Sequence, residues 1–105
     1  MTYEVGELLT SFRGKSRIDL IHDVQRRLDS TPPLSKRAPL DQRDTRSRYL
    51  QFLSGALYWL QCGRKPANLA SHEFTRLRPL CEDLIKRGDL KASALEVFEL
   101  AQKGN

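Results

Sequence analysis

Apolar residues recur along the chain at helical spacing in five separate stretches. Val5, Leu8, Leu9 and Phe12 fall at i, i+3, i+4 and i+7, which predicts a short first helix with Thr2 as its N-cap and Gly14 as its C-terminal stop. Ile18, Ile21, Val24 and Leu28 make the seam of a second helix over about Arg17 to Asp29, opened by Ser16 with Asp19 in the manner of a capping box. His22 neighbours that seam, and Arg26 and Arg27 sit near the negative end of the helix dipole. The segment Ser30 to Leu40, STPPLSKRAPL, holds three prolines and reads as a connector lying across the core, pinned by Leu34 and Leu40. It lacks the close PxxP pair of a polyproline recognition segment.

A third helix runs from Asp41 to Cys62, with Gly63 supplying the left-handed stop. Its first half, DQRDTRSR, is wholly polar, so that end is expected to protrude. The second half, YLQFLSGALYWLQC, is apolar nearly all round and carries the only Trp. An amphipathic surface helix needs an apolar arc of only ~100°, so the rest of this stretch is either sheathed by the chain or shared with another molecule. Leu50, Leu53, Leu57 and Leu60 are assigned to the protomer's own core, which leaves Tyr49, Phe52, Tyr58 and Trp59 as the candidate protein interface.

Ser71 opens a fourth helix whose seam is Phe74, Leu77, Leu80, Cys81 and Leu84, ending at Gly88. Pro79 lies inside it, so the helix either kinks there or splits; a kink is the preferred reading. Asp89 is expected to cap a fifth helix with Leu90, Ala94, Val97, Phe98 and Ala101 along one face. No alternating β-branched run and no hairpin dipeptide occurs. The expected fold is therefore all-α, a compact bundle of about five helices around a long central apolar helix, with residues 1–105 forming a single domain.

Composition narrows the class without naming a function. A 30% charged and 39% apolar chain is of ordinary globular type, and its longest mostly apolar run is too short for the ~20 residues of a membrane span. The acidic N-terminus has no secretory character, which points to a cytoplasmic protein with no membrane partner. Cys62 and Cys81 read as reduced, partly buried thiols. The net charge of +5 is uneven: Arg13 to Arg48 holds ten Lys/Arg against five acids, whereas Pro79 to Asn105 holds four against five. A polyanion would meet the first half of the chain or the region of Arg64 and Lys65.

The candidate chemistry is thin. Cys62, His72, Cys81 and His22 could be drawn as a zinc site, but no Cys-x2-Cys or His-x3-His pair anchors it, so no metal and no cofactor are expected. Neither a phosphate-binding glycine motif nor a nucleophile elbow is present, and the chain is not expected to be an enzyme. Residues 56–78 could be read as a helix-turn-helix, with Arg46, Arg48, Arg64, Lys65, Arg76 and Arg78 as candidate polyanion contacts. That alternative is weakened by the long loop after Gly63, by Pro79 and by the modest charge. The favoured expectation is a small regulatory protein that docks an apolar, aromatic helix surface on another protein. Such a partner would be a larger regulator, for instance a transcription regulator held by an inhibitor or antiactivator, or a second copy in a homodimer.

Overall fold

In a computed structural model, which describes residues 3–32 and 34–103, the chain is all-α. The helices are α1 (Val5–Ser11), α2 (Arg17–Ser30), α3 (Leu40–Cys62), α4 (Ser71–Phe74), α5 (Arg78–Lys86) and α6 (Glu96–Gln102). A 3-10 turn at Thr75–Leu77 joins α4 to α5, and a second at Ala92–Leu95 leads into α6. None of the described helices is long and apolar enough to cross a membrane.

Local chemistry sets some of the helix ends. Ser16 accepts a hydrogen bond on Oγ from the Asp19 N–H at 3.2 Å, satisfying one of the free donors of α2. Gly63 closes α3 at φ +72°, its N–H donating to the Trp59 carbonyl at 2.7 Å. Thr2 lies outside the described residues, and α1 starts after Glu4 without a side-chain cap. Two expectations give way. Pro79 does not kink a continuous helix; the chain tightens into the 3-10 turn before it, and Pro79 sits in the first turn of α5, where a missing N–H costs nothing. Asp89 does not cap the last helix either, since α6 begins seven residues later. Its carboxylate instead accepts the N–H of Arg17 at 3.2 Å, at the start of α2.

The long helix α3 is central, and α2 packs along it in antiparallel register. Arg27 Nη1 donates to the Tyr49 hydroxyl at 3.3 Å near one end of the pair, and Arg17 Nε donates to the Leu60 carbonyl at 2.9 Å near the other. Leu8 and Phe12 bring α1 into the core, while Phe74, Leu77, Leu84 and Phe98 come from the C-terminal helices. Trp59 meets Phe98 edge-on at 5.4 Å between ring centroids, and Phe98 stacks on Phe74 at 4.5 Å, so three elements share one aromatic cluster. The loop after α3 folds back along it: Pro66 and Leu69 are buried against the backbone of Gly55. Only Leu34 of the two connector leucines is partly buried; Leu40 is 72% exposed at the start of α3 and pins nothing.

Candidate interaction surface

The aromatic residues expected at an interface are divided by the fold. Tyr49 and Trp59 are each 2% exposed and Phe52 1%, all three inside the protomer's own core; Tyr58, at 43%, is the one that reaches solvent. The physical reason is the aromatic cluster and the N-terminal segment. Phe98 covers Trp59, and the Tyr3 ring meets Tyr49 edge-on at 5.1 Å under the guanidinium of Arg46. The leucine stripe assigned to the core is divided in the opposite sense, because Leu53 and Leu60 are buried while Leu50 and Leu57 are only half-buried. The α2 seam shifts too: Leu20, Asp23 and Val24 are its buried residues, and Ile18 is 62% exposed.

Asp23 is a buried carboxylate held by cations from two elements. Lys15 Nζ donates to it at 2.9 Å and Arg27 Nε at 3.3 Å, with Arg26 Nη2 at 3.7 Å. Arg27 also reaches the Ser11 hydroxyl at 3.3 Å, so the cluster binds α1 to α2 and, through Tyr49, to α3. Burial alone would raise the Asp23 pKa. The Lys15 hydrogen bond and the charges of Arg27 and Lys15 outweigh it and hold the carboxyl below its ordinary 3.8. The cluster explains part of the basic excess of the first half: three of those cations neutralise one internal acid, and Arg17 caps the C-terminal end of α3.

What these assignments leave uncovered is one side of the α2–α3 pair. At 100° per residue, Leu50, Ser54, Leu57 and Gln61 fall within about 60° of one another on α3. On α2, Ile18, Ile21, Gln25 and Leu28 fall within about 80°. With the helices antiparallel, both edges turn to the same side, since Asp23 and Arg27 face α1 on the opposite side and Phe52 and Trp59 lie toward α4 and α6. Ile21, Leu28, Leu50 and Leu57 on this side are half-buried, and Ile18, Gln25, Ser54 and Gln61 are exposed. Not one of these eight side chains is charged, in a chain that is 30% charged. Tyr58 stands on the far flank of the same surface. The spacing of Ile18, Ile21 and Leu28 was visible in the sequence, but it looked like an inward seam.

The candidate polyanion contacts are scattered and mostly engaged. Arg46 donates to the Tyr3 hydroxyl at 2.8 Å and to the Pro32 carbonyl at 3.1 Å, and Arg48 pairs with Asp44 at 3.3 Å. Lys65 donates to the Leu69 carbonyl at 2.7 Å, Arg76 pairs with Glu73 at 3.4 Å, and Arg78 donates to Gln102 at 2.7 Å. Arg64 is exposed. Of these, Arg48 and Arg76 share a cleft, about 670 Å³ in volume, between the N-terminal segment and α4, and Glu4 and Glu73 line it with them. A neighbouring cleft of about 600 Å³ between α1 and α5 sets Arg13, Arg76 and Lys86 against Glu82 and Asp83. Acids and bases thus alternate in both, which is the wrong electrostatics for a phosphate backbone. The segment offered as a reading helix is a four-residue α4, a 3-10 turn and then α5.

No group of three or more His, Cys, Asp or Glu side chains converges among the described residues in a way that could hold a metal ion. The two thiols differ sharply. Cys62 is exposed at the last turn of α3, whereas Cys81 is buried on α5, and burial, aided by the charge of Glu82 against that of Arg78, pushes its thiol up to about 11. The chain matches no protein-family model, no curated protein and no solved structure.

Proposed function

We propose that the protein acts without catalysis of its own, as a small regulatory protein that works by protein–protein contact, and that the contact is made by the outer face of α2 and α3. The observation that carries this reading is a row of uncharged side chains on that face, four half-buried aliphatics with Ile18 exposed beside them. A scattered exposed apolar residue needs no explanation, but a row of aliphatic side chains interleaved with neutral polar ones has the make-up of an interface core, from which charge is depleted. The surplus apolar surface of the central helix, read from the sequence as an aromatic interface, thus belongs to its aliphatic edge.

The test is a surface substitution that leaves the core alone. Ser54 is exposed in the middle of the strip, and Ser54→Arg places a long cation there without touching a buried atom. Binding to protein partners, a differently tagged copy of the chain included, is expected to fall by more than tenfold with Ser54→Arg. It should be unchanged with Gln42→Arg, an equally exposed position on the polar half of α3. Equal binding by both variants and the parent would remove the basis of the reading.

A further inference from the structure

We propose that the cleft between the end of α3, the start of α2 and the chain that leads into α6 binds a small monocarboxylate with an apolar body. The inference does not rest on the reading of the outer α2–α3 face. The cleft is about 320 Å³ in volume, at the lower end of the ~300–1,000 Å³ of small-molecule sites. Leu60, Leu90 and Ala94 give it an aliphatic lining, and Arg17, Trp59 and Lys91 stand beside them. Trp59 supplies the first polar observation. Its side chain is 2% exposed and packs on Phe98, yet its indole N–H donates to no described residue. A buried indole N–H ordinarily finds an acceptor. Nor is this nitrogen sealed in, as the unpaired Nε atoms of Arg43 and Arg46 are. Because Trp59 lines the cleft, the unused donor opens there.

Charge selects the ligand. Arg17 is fixed on the wall of the cleft, its Nε donating to the Leu60 carbonyl at 2.9 Å and its backbone N–H to the Asp89 carboxylate at 3.2 Å. Its two Nη groups have no partner among the described residues, and neither has the exposed ammonium of Lys91. The acid of the cleft, Asp89, already accepts the Arg17 N–H. Two carbonyls at the end of α3, which would otherwise repel an anion, are engaged as well: that of Trp59 accepts from the Gly63 N–H at 2.7 Å, and that of Leu60 from Arg17. Two cations against one acid leave a single positive charge, which a monocarboxylate neutralises. Its oxygens can accept from guanidinium, ammonium and indole donors together, and the hydrogen bonds to the two cations are of the strong, charge-assisted kind. The aliphatic lining then takes the apolar body behind the carboxylate.

Trp59 is the only Trp of the chain, so its indole N–H gives a single cross-peak in a proton–nitrogen correlation spectrum, and hexanoate is the probe. Titration is expected to move that cross-peak downfield and saturably, with a Kd of about 1 mM, roughly what so small a ligand can deliver. Hexanamide, of the same shape but uncharged, and hexylamine, of the opposite charge, should each bind about tenfold more weakly or worse. Lys91→Glu should weaken hexanoate about tenfold while leaving the rest of the spectrum in place, whereas Lys36→Glu, at an equally exposed position in the connector, should not. Ser54→Arg should bind hexanoate as the parent does, which separates this outcome from that of the α2–α3 contact. A cross-peak that stays still, or drifts linearly without saturating, up to ~20 mM hexanoate overturns the proposal. So does equal binding of the amide, which would make the cleft merely apolar, or tighter binding of hexylamine, which would make Asp89 its organising group. A Lys91→Glu variant that binds hexanoate like the parent overturns it too.

Discussion

Asp23 illustrates how far a single polar residue can depart from its pattern position. Helical periodicity counts an aspartate as outward-facing, yet here the carboxylate turns inward because Lys15, Arg26 and Arg27 come with it. Its folded pKa is depressed below the unfolded value, so its contribution to stability is present in full above about pH 4 and is lost as pH falls further, through the folded value. Stability of the parent should therefore decline on acidification below that range. Asp23→Asn should lose ~2 kcal/mol near neutral pH and show a flatter acid limb, which urea titrations at pH 7 and pH 3 would measure. The cysteines offer a second check at this scale. With the Cys81 thiol at about 11 and buried, a thiol reagent at pH 8 should modify Cys62 quickly in the native protein and reach Cys81 only after unfolding. Fast native labelling of both would contradict the packing of α5.

At the scale of the elements, the sequence disclosed where helices lie better than which of their faces is covered. The helix over α3 and its glycine stop were legible, and so was the whole seam of Phe74, Leu77, Leu80, Cys81 and Leu84, every member of which is buried. Periodicity failed where a helix is apolar on more than one side. It could not say that Phe98, thirty-nine residues away, would cover Trp59, nor that Leu50 and Leu57 would be left at the edge, because those outcomes depend on packing between distant segments. Gly55 is a related case: a mid-helix glycine costs ~1 kcal/mol relative to alanine, and nothing local accounts for it. The account lies in the returning loop, since a Cβ at Gly55 would stand 2.9 Å from Leu69 Cδ2 and 3.2 Å from the ring of Pro66. Alanine should be close to neutral there, its helix propensity offset by a small shift of the Leu69 side chain. Gly55→Leu should wedge the loop from α3 and cost ~1–3 kcal/mol, measured by chemical denaturation.

At the scale of the whole molecule, the fold class was readable from five helical seams and the absence of strand signals, whereas the candidate surface was not. The sequence located the surplus apolar area on the aromatic side of α3, where the fold buries Tyr49, Phe52 and Trp59 and leaves Tyr58 exposed. The reason is that α3 is covered by α2, the N-terminal segment, the returning loop and the C-terminal helices, and its aromatic side faces the N-terminal segment and the C-terminal helices. What remains exposed is the aliphatic edge shared with α2, bordered by glutamine and serine. The helix-turn-helix alternative gains no support at this scale, because its cations other than Arg64 are engaged by a carbonyl, carboxylates, a side-chain amide or a ring face at separate places.

The division of α3 into an aromatic core side and a proposed aliphatic contact side is tested most directly by the thermal unfolding midpoint of Trp59→Ala, Phe52→Ala and Ser54→Arg. Truncating a buried aromatic costs ~3–5 kcal/mol, and each kcal/mol lowers the midpoint of a domain of this size by ~4–8 °C, so both aromatic variants should melt more than 10 °C below the parent or fail to fold. Ser54→Arg should melt within about 4 °C of the parent, as a surface change does, while losing partner binding. Aromatic variants that melt with the parent but no longer associate would return the interface to the aromatic side of α3 and contradict the account.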